Sequence, residues 1–379
     1  MNKTALKAHD WIGNRVEGLK EYAPEPLEQI AERLGLPVGQ LIKLDANENP
    51  YGPTSHTQDV LRSYTYYHRY PDPLSHTLRR AIADYIDVPV ETIMVGNGSD
   101  ELIDLILRLF RPDDAGGGID QVIDCPPTFG MYQFYGTTND MEVLQFPRDD
   151  DFRVDVEGIV DLCREDPRPR ILFVTSPNNP DGRVLPTDDL ERLLDLPLLI
   201  VLDEAYVEFS GESKVGWVQD RENLIVLRTF SKWAGLAGLR VGYGVFPQGL
   251  MHGLWRLKSP YNVNGVAQAA ALATLEEVDQ ALDAVAGIVA ERRKLLKQLQ
   301  QISFLRVYES EANFVLCRVE GLAMETIREA MEVRGIILRY YDKPRLRDHI
   351  RITVGTPMQD RAVLLVLQEL EMEGESDGC

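Results

Sequence analysis

Lys232 is the residue of this chain best placed for covalent chemistry. It follows an apolar run, Leu224-Ile-Val-Leu227, that predicts a buried strand, and hydroxyls at Thr229 and Ser231 flank it. An ammonium at the end of a core strand is costly to desolvate, and the same desolvation lowers its pKa and makes the amine a usable nucleophile. Arg240 lies a little further on, beyond the turn Gly235-Leu-Ala-Gly238. A permanently charged guanidinium near hydroxyls suits a phosphate. The pair therefore suggests an amine that condenses with a carbonyl beside a phosphate site. The alternative is a loop lysine and a structural arginine, and the rest of the chain must choose.

Other polar groups fall at equivalent places. Thr92-Ile-Met-Val95 predicts a strand, and Gly96-Asn-Gly98-Ser99-Asp100-Glu101 opens a helix to about Phe110, leaving free N–H groups at its start that can hold an anion. Gln121-Val-Ile-Asp124 is a strand that leads into Pro126-Pro-Thr-Phe129. Ile171 to Thr175 leads into Ser176-Pro-Asn-Asn179, and Leu198 to Leu202 into Asp203-Glu-Ala-Tyr206. Near-continuous apolar strands separated by helical stretches imply a mostly parallel sheet covered on both faces. Ligands in such sheets bind at the carboxyl ends of the strands. Gly98, Ser99, Asp100, Phe129, Asn179, Asp203, Tyr206 and Lys232 share that address.

The flanks differ in texture. Residues 1 to about 40 are partly amphipathic, with Trp11, Ile12, Val16 and Leu19 on one face. A short strand at Leu41–Leu44 precedes the polar, proline-bounded loop Asp45–Pro53. A helical pattern runs near Ala267–Leu299. After it come a strand at Ala312–Leu316, a helix at Met324–Val333, strands at Ile336–Leu338 and His349–Val354, and a helix from Asp360, with an irregular, disordered tail expected from Glu371 to Cys379. The expected division is an N-terminal arm with part of a small domain (1–50), a large domain (51–262) and a C-terminal small α+β domain (263–379).

Composition removes several function classes. With 379 residues, 44% of them hydrophobic, the chain can bury a large core. A formal net charge of −20 argues against nucleic-acid or membrane-surface binding. There is no apolar run long enough to span a bilayer and no apolar segment typical of a signal peptide, so a cytoplasmic location is expected. Cys125, Cys163, Cys317 and Cys379 are scattered, which suits a reduced compartment and gives no zinc signature; no metal is expected.

The set Asn178-Asn-Pro180, Asp203-Glu-Ala-Tyr206, Ser231-Lys232 and Gly238-Leu-Arg240 resembles the fold-type I, class I/II pyridoxal-phosphate aminotransferases. Within them the chain most resembles the histidinol-phosphate aminotransferases, through Leu44–Gly52, Arg69–Asp72, Gly96–Glu101, Pro126–Tyr132, Arg228–Lys232, Leu338-Arg339 and Ile350–Gly355. The resemblance implies an α/β fold with a large domain built on a mostly parallel, seven-stranded-type sheet. It implies pyridoxal 5'-phosphate as cofactor, joined to Lys232 as a Schiff base, with Lys232 then serving as acid and base. Asp203 would meet the pyridine nitrogen, Tyr206 and Asn179 the ring phenolate oxygen, and Phe129 the ring face. Arg240, Ser231, Thr229, Gly98, Ser99 and Asp100 would hold the phosphate, and Tyr70 would reach it from a second subunit of a homodimer. Arg351 would clamp the carboxylate of the amino donor; Arg339 and Tyr22 would take the phosphate of histidinol phosphate, with Asn49 and Glu48 in the entry loop. The partners implied are small molecules, namely histidinol phosphate and glutamate or 2-oxoglutarate. Two readings compete within the subgroup, an aromatic amino-acid aminotransferase and a phosphothreonine-type decarboxylase. A non-catalytic ligand sensor is a reading from another class, and the intact Lys232 argues against it. Asp181, Trp233 and Ala234 depart from the family's usual residues, and Phe129 often stands as tyrosine.

Overall fold

A computed structural model describes residues 7–13, 18–19, 25–113, 115–343 and 345–377. Twelve strands occur among them: β1 (Ile42–Leu44), β2 (Ile93–Gly96), β3 (Gln121–Asp124), β4 (Glu142–Gln145), β5 (Arg170–Thr175), β6 (Leu198–Asp203), β7 (Leu224–Thr229), β8 (Gly242–Val245), β9 (Leu305–Val307), β10 (Phe314–Val319), β11 (Ile336–Tyr340) and β12 (His349–Thr353). Seven form one sheet in the order β2-β8-β7-β6-β5-β3-β4, and five form another in the order β1-β11-β12-β10-β9.

In the larger sheet β3 to β7 run parallel, and β8 alone is antiparallel to its neighbours β7 and β2. Every residue of β5, β6 and β7 is buried. Their sequences are nearly unbroken runs of Val, Ile, Leu and Phe because helices cover both faces and neither face meets water. Each of these strands ends in a polar residue, Thr175, Asp203 or Thr229, while the charge that opens β5, Arg170, is bonded to Gln121 and Asp166. The apolar body anchors the strand, and the polar end carries the chemistry.

The smaller sheet is antiparallel apart from one pairing. β1, near the start of the chain, runs parallel to β11, with Leu44 opposite Leu338. The loop Asp45–Pro53 that follows β1 is therefore launched from the small sheet toward the ends of the large one.

Three expectations need correction. The helical stretch near Ala267–Leu299 is two helices, Gly265–Glu276 and Val278–Leu299, and Glu277 leaves helical geometry between them at φ −124° and ψ 45°. The first packs on helices Ser55–Ser63 and His76–Ile86, while the second packs on β9 and β10, so a straight rod cannot serve both. The irregular tail from Glu371 is instead helical as far as Asp377, in a helix that begins at Pro357. Trp11 and Ile12, read as part of one amphipathic face, are 68% and 52% exposed; Val16 lies outside the described residues. No described helix is long and apolar enough to cross a membrane.

Candidate active site

Asp203 ends β6 with its side chain only 3% exposed. One carboxylate oxygen accepts from the Tyr132 hydroxyl at 2.7 Å and the other from the Ala205 N–H at 3.0 Å. Neither partner is a cation, and burial pushes the carboxyl up to about 6. Tyr132 is fully buried, also bonds Thr175 at 2.8 Å, and meets the Phe129 ring edge-on at 5.6 Å. A desolvated carboxylate held in place by neutral donors is ready for a cation that the protein itself does not supply.

Lys232 lies just beyond the end of β7. Its Nζ donates to the Ala46 carbonyl at 2.9 Å. Burial, and after it the charge of Arg351, pulls the amine down to about 8, with Lys43 and Arg240 adding to the effect and Glu48 opposing it. A useful fraction is thus unprotonated near neutral pH. The loop carrying Lys232 is pinned to the segment after β1. Asn49 donates to the Trp233 carbonyl at 2.8 Å and accepts from the Tyr51 N–H at 2.9 Å. Gly235, at φ +69°, lies so close to Gly52 that a Cβ would come within 2.4 Å of its carbonyl carbon. Asn49 therefore spends its amide on structure, and Glu48 pairs with Lys43 at 2.8 Å.

A second group gathers at the start of helix Ser99–Phe110. Gly98 has φ +77°, and a Cβ there would sit 2.6 Å from Arg240 Nη2. Arg240 donates to Asp100 at 2.8 Å. The Thr229 hydroxyl donates to Ser231 Oγ at 2.9 Å, and both residues are buried. Free first-turn N–H groups, two hydroxyls and a guanidinium make a cradle for an oxyanion.

Facing this, Arg351 on β12 is 6% exposed, bonds Asn179 Oδ1 at 2.5 Å and the Asp45 carbonyl at 2.6 Å, and has a buried Nε without a partner. In the β11–β12 ladder Arg339 stands directly opposite Arg351. It lies over the Tyr341 ring at 5.6 Å, and no carboxylate pairs with it among the described residues. Two cations opposed across a ladder are unfavourable unless an anion joins them. The Tyr206 hydroxyl accepts from Asn47 at 2.9 Å and is buried, which pushes its pKa up to about 12. Tyr70 is elsewhere on the surface of the chain, 82% exposed and stacked on Tyr261 at 4.5 Å. Tyr22 lies outside the described residues.

Two contributors had no assigned role in the sequence reading. Tyr132 sits within a quoted motif, but nothing in its neighbours shows that it points under Asp203. Asn47 is the other: its backbone is left-handed, at φ +55°, and it bonds Tyr206 and Thr353. An asparagine in a proline-bounded loop is the one available signal, because it tolerates that conformation. Of the unusual residues, Asp181 is 1% exposed and accepts from Asn178 and from the Arg183 N–H, so it closes its own turn. Trp233 is core, stacked on Tyr85 at 5.7 Å.

The donor set fits pyridoxal phosphate. A buried carboxylate lacking a cation suits a protonated ring nitrogen, a depressed lysine suits an aldehyde, and the Gly98–Arg240 cradle suits a phosphate. The family model described as aminotransferase class I and II matches residues 39–367. A histidinol-phosphate aminotransferase of Roseiflexus castenholzii is 47% identical over 365 residues, covering 94% of this chain and 96% of its own. A chloroplastic one from Nicotiana tabacum is 45% identical over 353 residues, covering 92% and 84%. Among solved structures, the histidinol-phosphate aminotransferase of Sinorhizobium meliloti in complex with pyridoxal-5'-phosphate superposes with a TM-score of 0.84 over 96% of this chain and 98% of that one; at 24% identity it speaks for the fold. By its sequence, its fold and the fit of its site, the chain belongs to the class I and II aminotransferases, enzymes dependent on pyridoxal phosphate.

Proposed function

We propose that this enzyme transfers an amino group between L-glutamate and imidazole acetol phosphate, releasing 2-oxoglutarate and histidinol phosphate by a ping-pong route in histidine biosynthesis. The similarity to the histidinol-phosphate aminotransferases supports this substrate, and one observation carries it: Arg339, without a carboxylate partner, opposes Arg351 across the β11–β12 ladder. A planar fork at Arg351 suits the donor's carboxylate, and a second fork beside it suits a phosphate. An aromatic amino acid has no phosphate to engage Arg339, so in that rival only the distal carboxylate of glutamate would use the residue.

The bound cofactor supplies a ring that draws electrons from the substrate and so acidifies its Cα proton. The protein's own groups do the rest. Lys232 takes the Cα proton and returns it, which its lowered pKa allows. Asp203 keeps the ring nitrogen protonated, and Tyr132 keeps Asp203 in place. Tyr206 and Asn179 hold the ring oxygen; Arg240, Ser231, Thr229 and the N–H groups at Gly98, Ser99 and Asp100 hold the phosphate; Phe129 covers the ring. Exposed Tyr66, Tyr67, Tyr70 and Tyr261 favour a homodimer in which Tyr70 serves the neighbouring site, and the enzyme is placed by this reading in the cytoplasm. The two separate sheets support a division into a large cofactor domain (51–262) and a small domain built from 1–50 and 263–379.

The deciding experiment compares histidinol phosphate with phenylalanine and phosphothreonine, using 2-oxoglutarate as acceptor. Turnover of histidinol phosphate at a kcat/KM well above that for phenylalanine is expected, and no turnover of it would sink the assignment. Arg339→Met should raise the KM for histidinol phosphate by about 10- to 100-fold, the worth of a charge-assisted hydrogen bond. The half-reaction with glutamate should fall less in that variant, because glutamate offers Arg339 a singly charged carboxylate where histidinol phosphate offers a phosphate.

A further inference from the structure

Glu204 follows Asp203 in the chain, and Arg228 precedes Thr229. Strand alternation sends each to the opposite face from its neighbour, and there the two meet. Arg228 Nε donates to Glu204 Oε2 at 3.0 Å, with side chains 6% and 1% exposed. The remaining capacity of Glu204 is filled by the Ser213 hydroxyl at 2.7 Å and the Lys214 N–H at 2.6 Å. Arg228 also donates to Ser213 Oγ. A second carboxylate, Glu208, lies 3.8 Å from Arg228 Nη1, with Oε1 buried and lacking a hydrogen bond. Arg228 from β7, Glu204 from the end of β6, Tyr85 from helix His76–Ile86 and Tyr243 from β8 surround it, and burial holds its carboxyl up to about 7.

The placement of this cluster matters because the β6–β7 ladder stops there. Its last pair is Asp203 with Leu227, and a final backbone bond runs from the Glu204 N–H to the Leu227 carbonyl at 2.8 Å. Beyond it the two chains part, one toward Tyr206 and the other toward Lys232. Phe230 already bonds Val241 instead of β6. The ion pair is thus the last side-chain tie between the strand that carries Asp203 and the one that delivers Lys232.

We propose that Arg228 and Glu204 are positioning residues, a clamp across β6 and β7 that sets the separation between Asp203 and Lys232. This rests on the cofactor reading above. A rigid planar ring gripped at one edge by Asp203 and at another by Lys232 cannot absorb a change in their spacing, and displacements of about 1 Å at a reacting centre can cost on the order of 100-fold in rate.

The test is the double variant Glu204→Gln/Arg228→Met, which removes both charges together and leaves no lone buried ion. The holoenzyme of this variant should melt near the wild-type temperature. It should bind pyridoxal phosphate about tenfold more weakly and turn over about 10- to 100-fold more slowly. The pH midpoint of its visible absorbance band should move up by about half a pH unit or more, because a displaced Asp203 supports the ring nitrogen less well. A purely structural pair would change the melting temperature and leave the midpoint alone. A folded variant with wild-type affinity and midpoint therefore overturns the clamp. If the double variant does not fold, Arg228→Lys keeps the charge but loses the fork, and a wild-type midpoint there overturns it equally. Wild-type protein lacking any visible band with pyridoxal phosphate overturns the cofactor reading and the clamp together, whereas a normal wild-type band with an unmoved variant overturns the clamp alone.

Discussion

Lys232→Ala is expected to lower turnover of histidinol phosphate by at least about 10⁴-fold, since in the proposed mechanism one residue is both the covalent anchor and the proton carrier. The absorbance band of the lysine-linked cofactor should give way to that of the free aldehyde in the same variant, because the proposed phosphate cradle at Gly98, Ser99 and Arg240 should still hold the cofactor noncovalently. Stopped-flow absorbance after mixing with histidinol phosphate reads both quantities. A variant that kept its rate within tenfold of wild type would remove Lys232 from the mechanism. Lys232→Arg is no rescue: a guanidinium stays protonated where this amine, pulled down to about 8, does not.

Asp203→Asn should cost about 10³-fold in kcat, the scale seen when a buried electrostatic group facing developing charge is neutralised. It should also stabilise the apoprotein. The carboxyl is raised from its ordinary 3.8 to about 6 by burial, so between those values the folded chain binds more protons than the unfolded one. Its contribution to stability is therefore harmless below pH 4, is lost as pH rises toward 6, and amounts to about 3 kcal/mol of destabilisation above that. Removing the charge lifts that penalty, and apo Asp203→Asn should melt higher than apo wild type at pH 8 but not at pH 4. Pyridoxal phosphate, which brings a cationic ring N–H, should raise the wild-type Tm more at pH 8 than at pH 5, and the substitution should shrink that difference. Equal melting of the two apoproteins at pH 8 would contradict the buried charge described here.

The elements most legible in the sequence were those whose burial leaves a composition signal. The bodies of β5, β6 and β7 are apolar because both faces are covered, and their polar carboxyl ends gave Asp203, Asn179 and the approach to Lys232. β8 was not legible: Gly242-Tyr-Gly-Val245 carries two glycines that weaken a strand pattern, and at Gly242 a Cβ would collide with the Ser99 N–H at 2.8 Å. β4 is an edge strand whose end residues are exposed, so alternation was faint. Glu277 breaks a helix without glycine or proline, and apolar spacing on both sides hides the joint. In the site, the loop Asp45–Pro53 was readable as a loop, but Asn47 reaching Tyr206 depends on a pairing of β1 with β11 from the far end of the chain. Arg228, Glu204 and Glu208 looked like ordinary charges beside apolar runs; only the folded register shows that they meet.

That pairing of β1 with β11 has a consequence for the order in which the enzyme comes into being. Asp45 and Asn47 leave the ribosome early, whereas their partners Arg351 and Thr353 are 306 residues away. Lys232 rests against Ala46 across 186 residues of intervening chain. The large sheet can close while synthesis continues, since β2 to β8 are contiguous in sequence. The catalytic centre cannot, because one wall waits for the last strand. A nascent or prematurely terminated chain can therefore hold a folded large sheet yet lack Arg351 and Thr353, so the site is complete only with nearly the whole polypeptide.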